Sequence, residues 1–385
     1  MVVKEIFRNI AELFINLTTP SMNSKRMKEK RITIHDIAKA IGIAPSSVSK
    51  ALNDSSSVSD NTKILVRAKA KELNYKHNSS AANLRRGSSR TIGVIVPKIN
   101  VSFFSSAIAG IEETCFENNH RLIICQSDEN YQREVQAVET LIQQNVDCIL
   151  ISLSQETKNT EHLSEITNHH IHLVQFDRVD TNFPSHTIVN DNREASHKAI
   201  RHMVEQGYER IAFLGGPEHL LLYKERKDGY LEAIKKADLH IPYDYIAHDI
   251  LTTDTAFKKA TELFENKNPP DAFFTVSDHA ALGVLKAAQA LGKKVPEDVG
   301  IIGFSNEDFA DVTTPALSSI EQQSKKMGRE AVNVYFNDVL NARKTGKENQ
   351  LMNLVIESSI IERASSLKKT AIKEKKKTQT VSIAR

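Results

Sequence analysis

What this chain lacks narrows its chemistry first. No apolar stretch reaches the roughly 18 residues that a membrane span requires. The three cysteines, Cys115, Cys125 and Cys148, show no C-x-x-C spacing and sit inside apolar runs, which argues against a disulfide framework or a thiolate metal site. They are expected to be buried free thiols of a reducing compartment, which points to the cytoplasm. The opening MVVKEIFRNIAELFINL is mildly apolar, but Lys4, Glu5, Arg8 and Glu12 interrupt it and no small-residue cleavage site follows, so export is not expected. Met22 and Met27 precede SKRMKEKRITIHD, which makes residues 1–26 a candidate over-extended start. Catalytic signatures are missing as well. There is no G-x-S-x-G elbow, no Walker loop and no G-x-G-x-x-G, and FLGGP at 213–217 is a poor phosphate loop. Neither His169 with His170 nor His197 with His202 makes an H-E-x-x-H arrangement. No enzyme, cofactor or metal site is expected.

The chain does have 385 residues, 40% of them hydrophobic and 26% charged, which is enough for more than one core. Its net charge of +3 hides an asymmetry: residues 25–90 hold fifteen Lys/Arg against five Asp/Glu, residues 91–367 hold 27 against 40, and residues 368–385 hold seven against one. A basic segment ahead of an acidic body suits a first part that meets a polyanion and a second that does not.

Residues 33–53 read TIHDIAKAIGIAPSSVSKALN. After Thr33, the residues Ile34, Ile37, Ala38 and Ile41 recur at the spacing of one helix face, and Gly42 breaks the run. Pro45, favoured at a first helical position, opens a second helix. Val48, Ala51 and Leu52 lie on one side of it, with Ser46, Ser47, Ser49 and Lys50 around the others. Two short helices about a glycine turn form a helix-turn-helix, whose second helix enters the major groove. A third amphipathic stretch, NTKILVRAKAKELNY, is expected to supply Ile64, Leu65, Ala68 and Leu73 to a three-helix core.

T-I-x-D-I-A-x-x-x-G-I-x-x-S-S-V-S-K-x-L-N, then V-S-x-x-T, L-N-Y-x-x-N and A-x-x-L-R-x-G, resembles the LacI/GalR family of bacterial transcription regulators, over about residues 31–363. The resemblance implies that Pro45, Ser46 and Lys50 face base edges, while Thr33, Ser47, Ser49, Asn53, Ser59 and Thr62 hold the phosphate backbone. Two departures stand out. Ala44 replaces the usual capping serine, a change worth about 1 kcal/mol, which leaves helix entry to Pro45 and Ser47; His77 replaces the usual proline. Residues 78–87, NSSAANLRRG, have too little apolar surface to fold alone in water. The resemblance implies a hinge helix that folds on DNA, with Leu84 wedged into the minor groove and Asn78, Arg85 and Arg86 near the backbone.

From Thr91 short apolar runs alternate with amphipathic ones. TIGVIV, RLIICQS, DCILISL, HLVQFDR, RIAFLGG, DAFFTVS and VGIIGFS read as strands of parallel sheets covered by helices, and the rhythm runs twice. Such sheets bind ligands outside the carboxyl ends of their strands. Those ends carry Phe103 and Phe104 after Pro97, then Ser127, Asp177 and Arg178, Gly215 to Pro217, Ser277 and Asp278, and Ser305. By resemblance, S-F-F near 103, F-D-R at 176–178 and E-R-x-x-G-Y at 225–230 are effector motifs, with Arg226 as the clamp. V-P-E-D-V-G-I-I-G-F at 295–304 is characteristic too, but Ser305 and Ser277 depart from common family residues. Leu220 and Leu222 fall where some members use polar contacts and suggest a less anionic ligand.

The expected fold is an N-terminal all-α helix-turn-helix domain plus an α/β periplasmic-binding-protein-like core of two Rossmann-like subdomains. The expected division is an extension at 1–30, the DNA-binding domain at 31–77, a hinge and linker at 78–90, the core at 91–365 and a basic disordered tail at 366–385. Within the core, the first subdomain takes about 91–188 and 320–350, the second about 189–319 and 351–365. One small reader buries too little surface for tight specific binding. The expectation is therefore a homodimer on a pseudo-palindromic operator, its interface along SSAIAGIEETCF and SKKMGREAVNVYFNDVL. The function implied is a repressor under allosteric control by a small carbohydrate-like effector. The alternative is a cytoplasmic sugar-binding protein without sequence-specific DNA binding.

Overall fold

The computed structural model describes residues 32–75, 88–339 and 350–368. The extension at 1–30, His77, the hinge positions Asn78 and Leu84, and the tail beyond residue 368 lie outside them. Contacts divide the chain into two units, with the break between Ala82 and Asn83.

The first unit is three helices: α1 (Ile34–Ile41), α2 (Pro45–Leu52) and α3 (Asp60–Glu72). The Asp36 carboxylate closes the start of α1 by accepting the Thr33 backbone N–H at 2.8 Å and the Thr33 hydroxyl at 2.7 Å. Gly42 ends that helix at φ 71°, a left-handed conformation that a side chain penalises. Helix α2 starts at Ala44 without a side-chain cap. Pro45 holds its first turn, and the Ser47 N–H donates to the Ala44 carbonyl at 2.9 Å. Ile37, Ala38, Val48, Ala51, Val66 and Ala70 form the core. One expectation is corrected here: Ile64 and Leu65 are 66% and 50% exposed, and Ala68 is exposed too. Helix α3 docks instead along Val66, Ala70 and Leu73, an i, i+4, i+7 row whose small alanine permits close approach.

The second unit holds two six-stranded sheets. The first has the order β11-β5-β4-β3-β1-β2 and is parallel throughout. Its strands are β1 (Thr91–Val96), β2 (Arg121–Gln126), β3 (Cys148–Ile151), β4 (His172–Phe176), β5 (His186–Asn190) and β11 (Asn353–Ile356). The second has the order β12-β10-β9-β8-β6-β7, with only β12 antiparallel. It comprises β6 (Ile211–Leu214), β7 (Ile246–Ala247), β8 (Ala272–Thr275), β9 (Gly300–Phe304), β10 (Ser318–Glu321) and β12 (Ser359–Ile361). The seven expected strands are all present. Central strands such as β1, β3, β8 and β9 are buried along their whole length, as sheets covered on both faces require.

Helices α4 (Ser102–Glu117), α5 (Tyr131–Gln143), α6 (Glu161–Asn168) and α11 (Ser324–Val334) cover the first sheet. Helices α7 (Asn192–Glu205), α8 (Leu221–Lys236), α9 (Thr253–Phe264) and α10 (Asp278–Ala290) cover the second. The chain therefore crosses between subdomains at 190–192, 321–324 and 356–359. This moves the expected division: Asn353–Ile356 pairs with β5 in the first subdomain, and β10 extends the second to Glu321. The third crossing, expected at 350–351, falls at 356–359, because β11 pairs with β5 before the chain crosses and β12 pairs with β10 after it.

Helices α4 and α11 pack backbone to backbone. A Cβ on Gly110 would lie 2.1 Å from the Lys325 carbonyl, and one on Gly328 would lie 2.0 Å from the Ala107 carbonyl. Those faces of the two helices expected to make a dimer interface are thus used inside the subdomain. The cysteines are free, and burial pushes the Cys115 thiol up to about 12, which makes it a packing group at neutral pH.

Candidate functional site

The carboxyl ends of the two sheets open on a common cleft with a volume of about 520 Å³. Phe103, Phe104, Asp177, Arg178, Arg226, Ser277, Asp278 and Ser305 all line it. How each is held decides what it can offer a ligand.

Phe103 and Phe104, in the first turn of α4, meet edge to face with centroids 5.1 Å apart and are 5% and 4% exposed. They are at once wall and core. Asp177 follows β4 in a left-handed conformation, φ 59°, that turns the chain across the strand ends. Burial pushes its carboxyl above the usual range, against the pull of Arg178 and Arg226. Arg178 donates through Nη1 to Glu129 Oε2 at 2.6 Å, so its charge is largely engaged by the protein.

Arg226 is different. Helix α8 carries it into the cleft wall, 2% exposed, where Nε donates to Asn192 Oδ1 and Nη1 to the Val276 carbonyl, both at 2.9 Å. Its guanidinium lies 3.5 Å from the Phe304 ring centroid and 5.6 Å from that of Tyr223. These are neutral acceptors and ring faces, and burial lowers its pKa to about 10. A buried cation held this way gains from any further acceptor a ligand brings.

Ser277, Asp278 and Ser305 follow strands β8 and β9 in the same subdomain as Arg226 and also line the cleft, but their polar atoms are engaged. The Ser277 hydroxyl accepts from the Ala280 N–H at 3.2 Å, capping α10, and donates to the Leu251 carbonyl at 3.1 Å. Asp278 accepts the Ser319 hydroxyl and the Glu307 N–H, both at 2.7 Å, and burial pushes its pKa up to about 6. Ser305, at φ 106°, donates to Gln322 Oε1 at 2.9 Å. Further polar lining comes from residues outside the expected set: Glu129, Gln155, Thr252, Thr253, Glu307 and Gln322. Glu129 lies two residues beyond Ser127 and was within reach of the strand-end rule. Thr252 and Thr253 open α9 after the two-residue β7, too short to show as a pattern.

Two bonds span the cleft between subdomains. The Ser102 N–H donates to Glu307 Oε2 at 3.2 Å, and His219 Nε2 donates to the Gln155 carbonyl at 2.8 Å.

In the helical unit, Ser46 and Lys50 are exposed on α2 and Pro45 is half-buried at its start. Around them Ser47 and Ser49 are half-buried, and the Asn53 side chain donates to the Ser49 carbonyl at 2.7 Å. Ser59 caps α3, its hydroxyl 2.9 Å from that of Thr62. Arg67 pairs with Asp54 at 2.6 Å and fixes the loop after α2. Among the described residues no cluster of three His, Cys, Asp or Glu is placed to hold a metal ion, and no helix is long and apolar enough to cross a membrane.

Residues 33–78 match the model of bacterial regulatory proteins of the lacI family, and residues 200–366 match a periplasmic binding protein-like domain. Over 340 residues, 88% of this chain and 98% of the relative, the sequence is 32% identical to the HTH-type transcriptional repressor CytR of Escherichia coli (strain K12). The Lac repressor dimer bound to operator and the anti-inducer ONPF superposes with a TM-score of 0.76 at 21% identity, covering 88% of this chain and 100% of that one. That likeness shows the fold. The transcriptional regulator CelR in its cellobiose complex superposes with a TM-score of 0.64 at 25% identity, over 87% of this chain and 100% of that one.

Proposed function

The chain belongs to the lacI family of bacterial regulatory proteins and is a sequence-specific DNA-binding transcriptional regulator; on that premise we propose that its operator affinity is set by a small, uncharged, hydroxyl-rich ligand bound in the cleft. Arg226 carries the reading. It is a buried cation whose hydrogen bonds go to an amide and a peptide carbonyl, set between aromatic faces at the junction of both subdomains. A sugar supplies the hydroxyl acceptors for it and an apolar ring face for Phe103 and Phe104. The cleft is lined by Glu129, Asp177, Asp254, Asp278 and Glu307 against Lys98, Arg178 and Arg226. That surplus of carboxylates disfavours an anionic ligand. Leu222, apolar in the same lining, points the same way, and the cellobiose held by CelR is a neutral sugar.

In this reading the protein is a cytoplasmic homodimer that represses, and no bound compound is turned over. Pro45, Ser46 and Lys50 face base edges. Thr33, Ser47, Ser49, Asn53, Ser59 and Thr62 hold the backbone, joined by Asn78 and by Leu84 in the minor groove. Two half-sites about one helical turn apart accommodate the two readers. Phe116, 77% exposed on α4, and Ile124, 44% exposed on the outer strand β2, supply apolar surface for self-association that the α4–α11 packing leaves over. Coupling of about 1–3 kcal/mol is typical of such regulators, and complete switching needs about 5.5 kcal/mol, so the expected response is partial.

The test is titration calorimetry of the full chain with neutral sugars, nucleosides and uronic acids, followed by gel shift on a duplex that the chain selects from a random pool. A neutral polyol that binds wild type, shifts operator affinity and fails to bind Arg226→Ala is the expected result. Binding confined to anionic compounds, or a response that survives Arg226→Ala, overturns it.

A further inference from the structure

The chain that leaves the helical unit enters the core through residues 88–90, and one side chain receives it there. Asp147, directly before β3, accepts the Ser88 hydroxyl at 2.6 Å, the Ser89 N–H at 2.7 Å and the Arg90 N–H at 2.8 Å. Its own backbone N–H donates to the Thr91 carbonyl at 2.8 Å, and its carbonyl accepts from the His172 N–H at 3.3 Å. The anchor is thus stitched to the beginnings of β1, β3 and β4 together. The Asp147 side chain is only 7% exposed, and buried bonds of this charge-assisted kind are the stronger class.

The segment it holds is not relaxed. Arg90 sits at φ 50°, left-handed for a residue with a side chain, a conformation that persists only where the surroundings enforce it. Beside the carboxylate lies His120, its side chain 9% exposed and its Nε2 4.0 Å from Asp147 Oδ2. That nitrogen has no hydrogen-bond partner among the described residues. The other ring nitrogen, Nδ1, donates to the Asn118 carbonyl at 2.8 Å. The ring also packs edge-on against Phe336, at 4.8 Å, just beyond the end of α11. Helix α11 is the element that follows the crossing at 321–324, so the histidine beside the anchor packs just past the end of a helix that leaves that crossing.

We propose that Asp147 is a positioning residue for operator recognition: its carboxylate fixes residues 88–90, and through them the register in which the preceding hinge segment reaches DNA. By chain order, the covalent link from the core to the helical unit passes through this point. An anchored exit limits the conformations from which residues 78–87 must fold on an operator, and so lowers the entropy lost on specific binding. Non-specific binding through phosphate charge needs no such register. The inference rests on the regulator reading and adds to it a residue outside the cleft lining.

Asp147→Asn and Ser88→Ala test it in the full chain. Asparagine keeps one acceptor and turns the other into a donor facing the Ser88 hydroxyl and the Arg90 N–H; Ser88→Ala removes the hydroxyl that donates to Asp147 and accepts from the Arg90 N–H at 3.3 Å, and leaves the core intact. Two readouts are taken: hydrogen exchange at the Ser89 and Arg90 amides, and affinity for a duplex selected by wild type against a scrambled duplex. For Asp147→Asn, exchange at Arg90 should rise by about tenfold or more. Preference for the selected duplex should fall about tenfold, with scrambled-duplex affinity held within about twofold. Ser88→Ala should move the preference in the same direction by a smaller factor. Wild-type exchange at Arg90, or an unchanged preference despite faster exchange, overturns the proposal. If Asp147→Asn does not fold, an unchanged preference in Ser88→Ala overturns it alone. A wild-type chain that selects no sequence refutes the regulator reading itself.

Discussion

Replacing Arg226 by methionine separates a ligand contact from a structural strut, because the two roles predict different effects on stability. Burial lowers the guanidinium from its ordinary 12.5 to about 10. At about 1.4 kcal/mol per tenfold change, the charged form is disfavoured in this cleft by roughly 3 kcal/mol. The sign follows from linkage. When a base's folded pKa lies below its unfolded one, the unfolded chain holds the proton more tightly, so at neutral pH the charge weakens the fold, and the penalty is relieved only as pH rises through about 10 toward 12. Methionine refills most of the volume against Phe304 and Tyr223 without a charge to desolvate. Asp177 loses a favourable neighbour but keeps Arg178 beside it, which bounds that loss. Arg226→Met relieves that desolvation but leaves the Asn192 Oδ1 and Val276 carbonyl acceptors without their donor, at about 1–3 kcal/mol, so it should stay within about 2 kcal/mol of wild type at pH 7. It should also lose ligand binding and the ligand's effect on DNA. Urea unfolding and calorimetry on the same preparation decide. A loss of more than about 2 kcal/mol of stability with ligand response retained would refute the assignment.

Asp278 should leave a pH signature of its own. Its folded pKa of about 6 exceeds the ordinary 3.8, so the folded chain holds the proton more tightly, and this contribution is present at low pH and lost as pH rises from about 4 to above 6. Wild-type stability measured against Asp278→Asn should fall by roughly 3 kcal/mol across that window; a flat difference by urea titration contradicts the burial argument. Gly328→Ala forces a Cβ onto the Ala107 carbonyl and should cost about 1–3 kcal/mol, seen as a lower melting temperature. A melting point equal to wild type would mean the α4–α11 crossing is looser than described. Lys50→Ala should relax discrimination at one base pair by about 1–3 kcal/mol, measured by reselecting duplexes; a uniform loss on every sequence would instead make Lys50 a phosphate contact.

Much of this fold could be read from the sequence because its central strands are short apolar runs buried on both faces, and their ends point to the cleft. Four of the five strands that could not be read have physical reasons to be silent. SSIE in β10 is mostly polar because its serines bond inward: Ser318 to the Arg363 carbonyl and Ser319 to Asp278. Strand β7 has two residues, and β11 and β12 are four- and three-residue pieces separated by a crossing. In the cleft, strand ends plus family resemblance located the lining residues but not their hydrogen-bond partners. Nothing in the letters of Ser277 says that its hydroxyl caps α10, or that Asp278 has both oxygens taken. The helical unit shows the same limit: Ile64 and Leu65 are more apolar than Ala70, yet the small residue is the one buried, because packing distance decides which row of α3 docks.

What joins the cleft to the rest of the core is Gln322, a residue that belongs to both. It lines the cavity, accepts the Ser305 hydroxyl at 2.9 Å, and donates through Nε2 to Asn190 Oδ1 at 3.1 Å. Asn190 in turn donates to the Gln322 carbonyl at 2.9 Å and to the Ile356 carbonyl at 3.2 Å. These residues stand at the three points where the chain crosses between subdomains, so one buried amide pair ties the cleft wall to every crossing. A ligand that competes for the Ser305 or Gln322 side chain changes the bonding at all three together, and a buried amide left without its partner costs about 1–3 kcal/mol. That equals the coupling free energy typical of allosteric regulators. A ligand that engages Gln322 therefore reaches all three crossings at once, one of which leads directly into α11.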